Sequence, residues 1–155
     1  MTFRVGVISD THGHLRPEAL RLLAGVDHIV HGGDIGRPDI VDALRDIAPV
    51  TGIRGNVDTD GWAAEYPETE LVTLAGRVFF VVHDLKSLHV DPAARGIDVV
   101  VSGHSHAPRI STVGRVLYVN PGSAGRRRFK LPIKLATIDV TPEALTPLIH
   151  DLGDL

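Results

Sequence analysis

The sequence has no cysteine among its 155 residues, which excludes disulfides, thiolate zinc sites and thiol nucleophiles together. It also has no basic excess, since 16 lysines and arginines stand against 19 aspartates and glutamates, for a net charge of −3. Any affinity for phosphate must therefore be local, and nucleic acid is a disfavoured partner. Nine histidines remain as the obvious stock of metal ligands.

Long hydrophobic runs are absent as well. No apolar stretch approaches the ~18 residues that a membrane-spanning helix needs, and a strand begins at Phe3 without a charged and apolar leader. We therefore expect a cytoplasmic protein that does not enter a membrane. The length and the 43% hydrophobic content predict a single globular domain over residues 1–155.

The first third of the chain alternates strand and helix patterns. Strands are predicted at Phe3–Ile8, Asp27–Val30 and Pro49–Ile53, with helices between them at Arg16–Leu23 and Pro38–Ala48. This β-α-β-α-β order predicts parallel strands with right-handed crossovers, so that the turns after the strands all lie at one edge of a sheet.

From Glu70 onward the pattern changes to strand pairs. Strands are predicted at Glu70–Leu74, Arg77–Val82, Ile97–Val101, Arg109–Val113, Val116–Val119, Lys134–Val140 and Ala144–His150, with a short helix at Asp91–Arg95 and no regular structure over Asp58–Pro67. A parallel half joined to an antiparallel half indicates an α/β fold in which two sheets pack face to face with helices outside.

Residues that commonly bind metals recur in the turns that follow these strands. They are Asp10, His12, Asp34, Asn56, His83, His104 and His106. In Asp10-x-His12 and His104-x-His106, two side chains separated by one residue of an extended turn point the same way and can converge on one centre. Seven ligands are too many for one tetrahedral ion but suit two ions that share a carboxylate, for which the central Asp34 is the candidate.

The ligand set contains nitrogen and oxygen but no sulfur. Four imidazoles disfavour magnesium and calcium and favour two divalent ions of manganese, iron, zinc, nickel or cobalt, without deciding among them. Two such ions, two carboxylates and a bridging hydroxide leave a charge of about +1, so an anionic substrate is expected. Of the remaining histidines, His14 and His31 lie near enough to support the site.

These residues carry a resemblance. Asp10-x-His12, Gly33-Asp34, Gly55-Asn56, His83 and Gly103-His104-Ser105-His106 resemble the motifs of the calcineurin-like metallophosphoesterase superfamily, in particular its small bacterial and archaeal phosphodiesterase branch. The resemblance implies a four-layer α-β-β-α sandwich of two mixed sheets, with the metal site at the carboxyl ends of the strands. It implies one metal site of Asp10, His12, Asp34 and His106, and a second of Asp34, Asn56, His83 and His104.

Two positions depart from the family pattern. Many members follow the asparagine with a histidine that acts as general acid, whereas this chain has Val57, and relatives usually have glycine where it has Asp84. His14 is the best substitute for the missing acid, so Asp34, Asn56 and His14 are the predicted catalytic residues. Asp84 either adds a carboxylate near the second metal or alters the turn.

The function predicted from these motifs is hydrolysis of a small phosphate ester, most simply a phosphodiester, by attack of a metal-bridging hydroxide. The alternative is a non-catalytic scaffold, because the resemblance extends to a retromer subunit that has lost metal ligands. A nuclease is disfavoured by the net charge, and its only support is the basic run Arg126-Arg127-Arg128 with Lys130. The substrate's identity and the oligomeric state, including a homo-oligomer, stay open.

Overall fold

The structure is a computed structural model that describes residues 1–125 and 133–152. Within these ranges the strands are β1 (Phe3–Ile8), β2 (His28–His31), β3 (Val50–Gly52), β4 (Thr69–Leu74), β5 (Arg77–Val82), β6 (Val99–Val101), β7 (Arg109–Val113), β8 (Val116–Asn120), β9 (Lys134–Val140) and β10 (Leu145–Asp151). The α-helices are α1 (Pro17–Leu23) and α2 (Pro38–Arg45), and short 3-10 helices span Gly61–Glu65 and Leu85–Ser87. The basic run at 126–128 with Lys130 lies outside the described residues.

The strands form two five-stranded sheets. The first has the order β10-β9-β1-β2-β3, in which β1, β2 and β3 are parallel as predicted, and the hairpin β9–β10 joins it antiparallel beside β1. The second has the order β4-β5-β6-β8-β7, with β5, β6 and β8 parallel between two antiparallel edge strands. Both sheets are therefore mixed, which confirms the fold class; the second half of the chain is not purely antiparallel.

Alternate residues along the central strands divide the core into layers. Val5 and Val7 of β1 pack between the sheets against Phe79 and Val99 of the second sheet. Neighbouring Ile8 faces outward, onto α1 and α2. Each helix begins with a proline, which suits the first helical turn, and buries one apolar face on the sheet, through Ala19, Leu23, Ile40, Val41 and Leu44.

The outer face of the second sheet has a thinner cover. Val90 and Ile97, from the segment between β5 and β6, pack there on Val100. The helix predicted at Asp91–Arg95 is instead a run of turns, because five residues are too few to offset the cost of nucleating a helix. The loop Asp58–Pro67 also differs from its prediction, since it contains a 3-10 helix.

No helix in the described ranges is both long enough and apolar enough to cross a membrane. A single domain over 1–155, the cytoplasmic location and a possible homo-oligomer stay predictions.

Candidate metal centre

Six of the seven predicted ligand residues come together in two clusters. One cluster contains Asp10, His12 and His106, and the other contains Asp34, His83 and His104. In each cluster the three candidate ligand atoms lie within 4.8 Å of one another. The edge where the strands end thus gathers carboxylates and imidazoles from both sheets, as the sequence predicts.

Asp34, a member of the second cluster, also faces the first. Its Oδ2 is 3.1 Å from Nε2 of His83 and 3.5 Å from Nε2 of His12, so it faces one imidazole of each cluster. Nε2 of His12 is in turn 3.3 Å from Nε2 of His106. Both clusters therefore face the same carboxylate oxygen.

Several polar atoms of the site have their other hydrogen bonds satisfied by the protein. Nδ1 of His83 donates to the carbonyl of Gly32 at 2.7 Å, which leaves Nε2 as the ring atom directed at Asp34 Oδ2. Oδ2 of Asp10 accepts from the Ser9 hydroxyl at 2.7 Å and from the His104 backbone N–H at 3.1 Å.

Other polar atoms of the site have no hydrogen-bond partner among the described residues, and they show whether a metal cation fits there. Oδ1 of Asp10 and Nε2 of His83 are buried and have no hydrogen-bond partner. A buried polar atom without a partner is costly unless something binds it, and a carboxylate oxygen beside an imidazole nitrogen is a ligand set suited to a divalent transition-metal ion. The residues therefore fit the metal that the sequence predicts.

The electrostatics of the site favour ionised carboxylates. Burial opposes the charge on Asp10, but His106, His12 and the Ser9 hydroxyl more than offset it, and its pKa lies well below the usual range. Burial likewise opposes the charge on Asp34, while His83 and the Val57 N–H lower its pKa. Burial disfavours protonation of His83, yet Asp34 and the Gly32 carbonyl raise its pKa to about 9.

Most of the clustered residues have a left-handed backbone. The φ angles are 54° at Asp10, 48° at His12, 54° at Asp34, 71° at His104 and 62° at His106, and Ala75 is the only other non-glycine residue with positive φ in the described ranges. The extended geometry assumed for Asp10-x-His12 and His104-x-His106 is therefore wrong. The pairs converge because both members turn through the left-handed region, which side chains rarely adopt.

Glycine at position 55 lets a second loop approach Asp34. A Cβ on Gly55 would lie 2.3 Å from Oδ1 of Asp34 and 2.4 Å from its backbone nitrogen, which no side chain permits. The close approach allows the N–H of Val57 to donate to Oδ1 of Asp34 at 3.0 Å.

Asp58 fixes these two loops together, and the sequence reasoning missed it. Its buried carboxylate accepts backbone N–H bonds from Ile35 (3.0 Å), Gly36 (2.9 Å) and Gly55 (2.9 Å). Three such bonds hold the two loops in one conformation relative to each other. The available signal was an aspartate three residues after Gly55, a spacing from which a side chain can reach back to a backbone N–H.

His31 supports the site from beneath, as the sequence suggests. Its Nδ1 accepts the Gly33 N–H at 3.1 Å, so Nε2 carries the proton toward Thr11 Oγ1 at 3.1 Å. The Thr11 hydroxyl donates in turn to the Ile35 carbonyl at 2.8 Å. Complete burial lowers the pKa of His31 to about 4, so the ring is neutral.

The other predicted residues lie at the rim. Asn56 directly follows Gly55 and is exposed, as are Val57 and His14. Asp84 combines both roles considered for it, because its Oδ1 accepts the Lys86 N–H at 3.1 Å and its Oδ2 lies 3.7 Å from Nε2 of His104. The ligand role of Asn56 and the acid role of His14 stay predictions.

Comparison with known proteins gives the family. The model of the calcineurin-like phosphoesterase superfamily domain matches residues 3–143. A probable metallophosphoesterase of Methanocaldococcus jannaschii is 33% identical over 162 residues, covering 95% of this chain and 82% of that protein. The chain belongs to the calcineurin-like phosphoesterase superfamily, which confirms the family predicted from its motifs and supports a metal-using phosphoesterase.

Two solved structures share the fold. Vacuolar protein sorting 29 from Cryptosporidium parvum has a TM-score of 0.85 at 20% identity, covering 99% of this chain and 93% of that one. An archaeal phosphodiesterase has a TM-score of 0.78 at 22% identity, covering 95% and 99% respectively. At these identities the likeness establishes the fold alone.

Proposed function

We propose that this protein is a hydrolase of small phosphodiesters that works with two divalent metal ions. The observation that carries the proposal is the place of Asp34 Oδ2 between His12 of one cluster and His83 of the other. Asp10, His12, Asp34 and His106 would hold one ion, and Asp34, Asn56, His83 and His104 the other. When bound, such ions neutralise phosphate charge and lower the pKa of a coordinated water.

The protein's own groups would orient and hold these ligands. The Gly32 carbonyl fixes the tautomer of His83, and the Ser9 hydroxyl and the His104 N–H occupy Oδ2 of Asp10, so that Oδ1 alone faces the site. In the overall reaction, water adds to phosphorus, one P–O ester bond breaks, and the leaving alcohol takes a proton. His14 is the proposed donor of that proton.

The second candidate is a scaffold with the same fold, which the likeness to vacuolar protein sorting 29 favours. Metal content does not separate the two, because a scaffold can also retain ions. The unpartnered Asp10 Oδ1 and His83 Nε2 support metal binding in either case, so turnover of an ester is what separates the two candidates.

The deciding experiment combines elemental analysis with turnover. Purified protein is loaded with manganese, zinc, nickel or cobalt and assayed on bis(4-nitrophenyl) phosphate and on 4-nitrophenyl phosphate. We expect two metal equivalents per chain and faster hydrolysis of the diester. Two equivalents without turnover of either ester would support the scaffold, and one equivalent with full activity would contradict the shared carboxylate.

A further inference from the structure

A cavity of about 600 Å³ opens beside the metal centre, on the outer face of the second sheet. His104 and Asp84 line its inner end, so it is continuous with the proposed second metal site. The volume falls within the range of small-molecule sites, roughly 300–1,000 Å³.

Strand register explains how the cavity walls are built. Tyr118 of β8 lies between Val100 of β6 and Ser111 of β7, and two residues closer to the metal centre Asn120 lies opposite Arg109. Because side chains on one face of a sheet recur every second residue, Tyr118, Ser111, Asn120 and Arg109 share this face. In the described ranges, Val90 and Ile97 cover the part of this face around Val100, and the cavity opens beside them.

The cavity changes character along its length. Near His104 the lining is polar: Asn120 Nδ2 donates to the Gly103 carbonyl at 3.0 Å and to Ser105 Oγ at 3.1 Å, tying this wall to the ligand turn. Further out it is apolar, with Tyr118, Leu85 and Val113, of which Val113 is 65% exposed. Val113 lies opposite Val116, four residues before Asn120 on β8, a distance of roughly 13 Å along the strand.

The rim carries a positive excess. Lys86 and Arg109 line the opening together with the single carboxylate of Asp84. In the described part of the chain, neither cation forms an ion pair with a carboxylate. An anionic head group would be attracted to the polar end, and an apolar group attached to it would reach Tyr118 and Val113.

We infer that this cavity binds the organic substituent of the substrate, and that the substituent is a bulky apolar group such as an aryl ring. The inference rests on the proposed function, since it assigns the phosphate to the adjoining metal centre. Ser111, at the middle of the cavity, and Tyr118 are then specificity-determining residues. The cavity is long enough for a ring beyond the phosphate, whereas a methyl ester would leave Tyr118 without a partner.

The test compares phenylphosphonate with methylphosphonate, which share a head group and differ in the substituent. Binding to the metal-loaded protein is followed by ligand-observed NMR. We expect the phenyl compound to bind about tenfold or more tightly. Ser111→Trp obstructs the middle of the cavity and should remove that preference, whereas Thr112→Trp, on the opposite face of the same strand, should keep it.

The kinetics of hydrolysis provide a second, independent test of the cavity. Ser111→Trp should raise KM for bis(4-nitrophenyl) phosphate at unchanged metal content, and Thr112→Trp should not. Equal binding of the two phosphonates, or equal effects of the two variants, would contradict substrate binding in the cavity. The cavity would then be a candidate surface for a protein partner. A retained phenyl preference without any wild-type hydrolysis would support the cavity while contradicting the proposed function.

Discussion

The backbone N–H of Val57 donates to Oδ1 of Asp34 at 3.0 Å, while Oδ2 of the same carboxylate faces His12 and His83. One oxygen is thus used for orientation and the other is directed between the two clusters. A carboxylate fixed in this way has little freedom to bind one ion at the expense of the other.

Asp34→Asn should therefore remove both metal ions, because an amide cannot supply the shared anionic oxygen. His12→Ala should mainly weaken the site of Asp10 and His106 and leave one equivalent. Metal per chain, measured after dialysis, checks both. Asp39→Asn is the control, since that exposed carboxylate pairs with Arg37 and should leave both ions bound. Two tightly held equivalents in Asp34→Asn would show that the assignment is wrong.

Gly55→Ala tests the close approach of the two loops. The new methyl group would overlap Asp34, whose carboxylate must move, so metal binding and activity should fall together. Gly61→Ala in the same connection is the matched control, because nothing lies within 4 Å of its Cβ position. Elemental analysis and circular dichroism on both variants separate loss of metal from loss of fold. Wild-type metal content in Gly55→Ala would contradict the expectation.

His31 should make the fold sensitive to acid. Its pKa is about 4 in the folded state against about 6.5 when unfolded, so the unfolded chain takes up the proton first. The contribution of His31 to the free energy of unfolding is therefore complete above about pH 6.5. It is lost as the pH falls toward 4, and the total loss is about 3 kcal/mol. Urea unfolding of metal-free protein at pH 7 and pH 5 measures part of this loss.

The variant His31→Asn keeps an acceptor for the Gly33 N–H but does not titrate. It should be less stable at pH 7 and should lose less stability on acidification than the wild type. His89→Asn, at an exposed position, should retain the wild-type pH dependence. An identical loss in His31→Asn would exclude His31 as the source, and NMR titration of the His31 ring in the wild type provides a second measurement.

Leaving-group protonation provides the fourth prediction. General acid catalysis is worth roughly 10²–10⁴-fold and matters most for poor leaving groups. With valine at position 57, the enzyme should favour aryl over alkyl phosphodiesters unless His14 protonates the departing oxygen. His14→Ala should then slow alkyl esters selectively at unchanged metal content. An equal effect on both ester types, or no effect, would rule out His14 as the acid.

The sequence predicted the α/β fold and the residues that cluster at the strand ends, but not the contacts between distant segments. Metal-ligand residues at strand ends could be recognised locally, and the parallel order of β1, β2 and β3 places their turns at one edge. The role of Asp58 depends on how two loops meet, and the place of β9 beside β1 depends on pairing across more than a hundred residues. Such contacts leave no local periodicity. The sequence also does not indicate the left-handed φ angles at Asp10 and His104, because aspartate and histidine are common in ordinary turns.

The left-handed φ angles of the clustered residues also affect how the sequence of such a protein would evolve. A left-handed conformation costs an aspartate or histidine about 1 kcal/mol, and five of the clustered residues adopt one. Glycine or asparagine would relieve the strain without disturbing the apolar layers, so the proposed ligand role, together with the hydrogen bonds of Asp10 and Asp34, is what opposes their substitution. In a lineage that kept the sandwich but abandoned hydrolysis, these five positions should be the first to drift, well before the apolar layers beneath them.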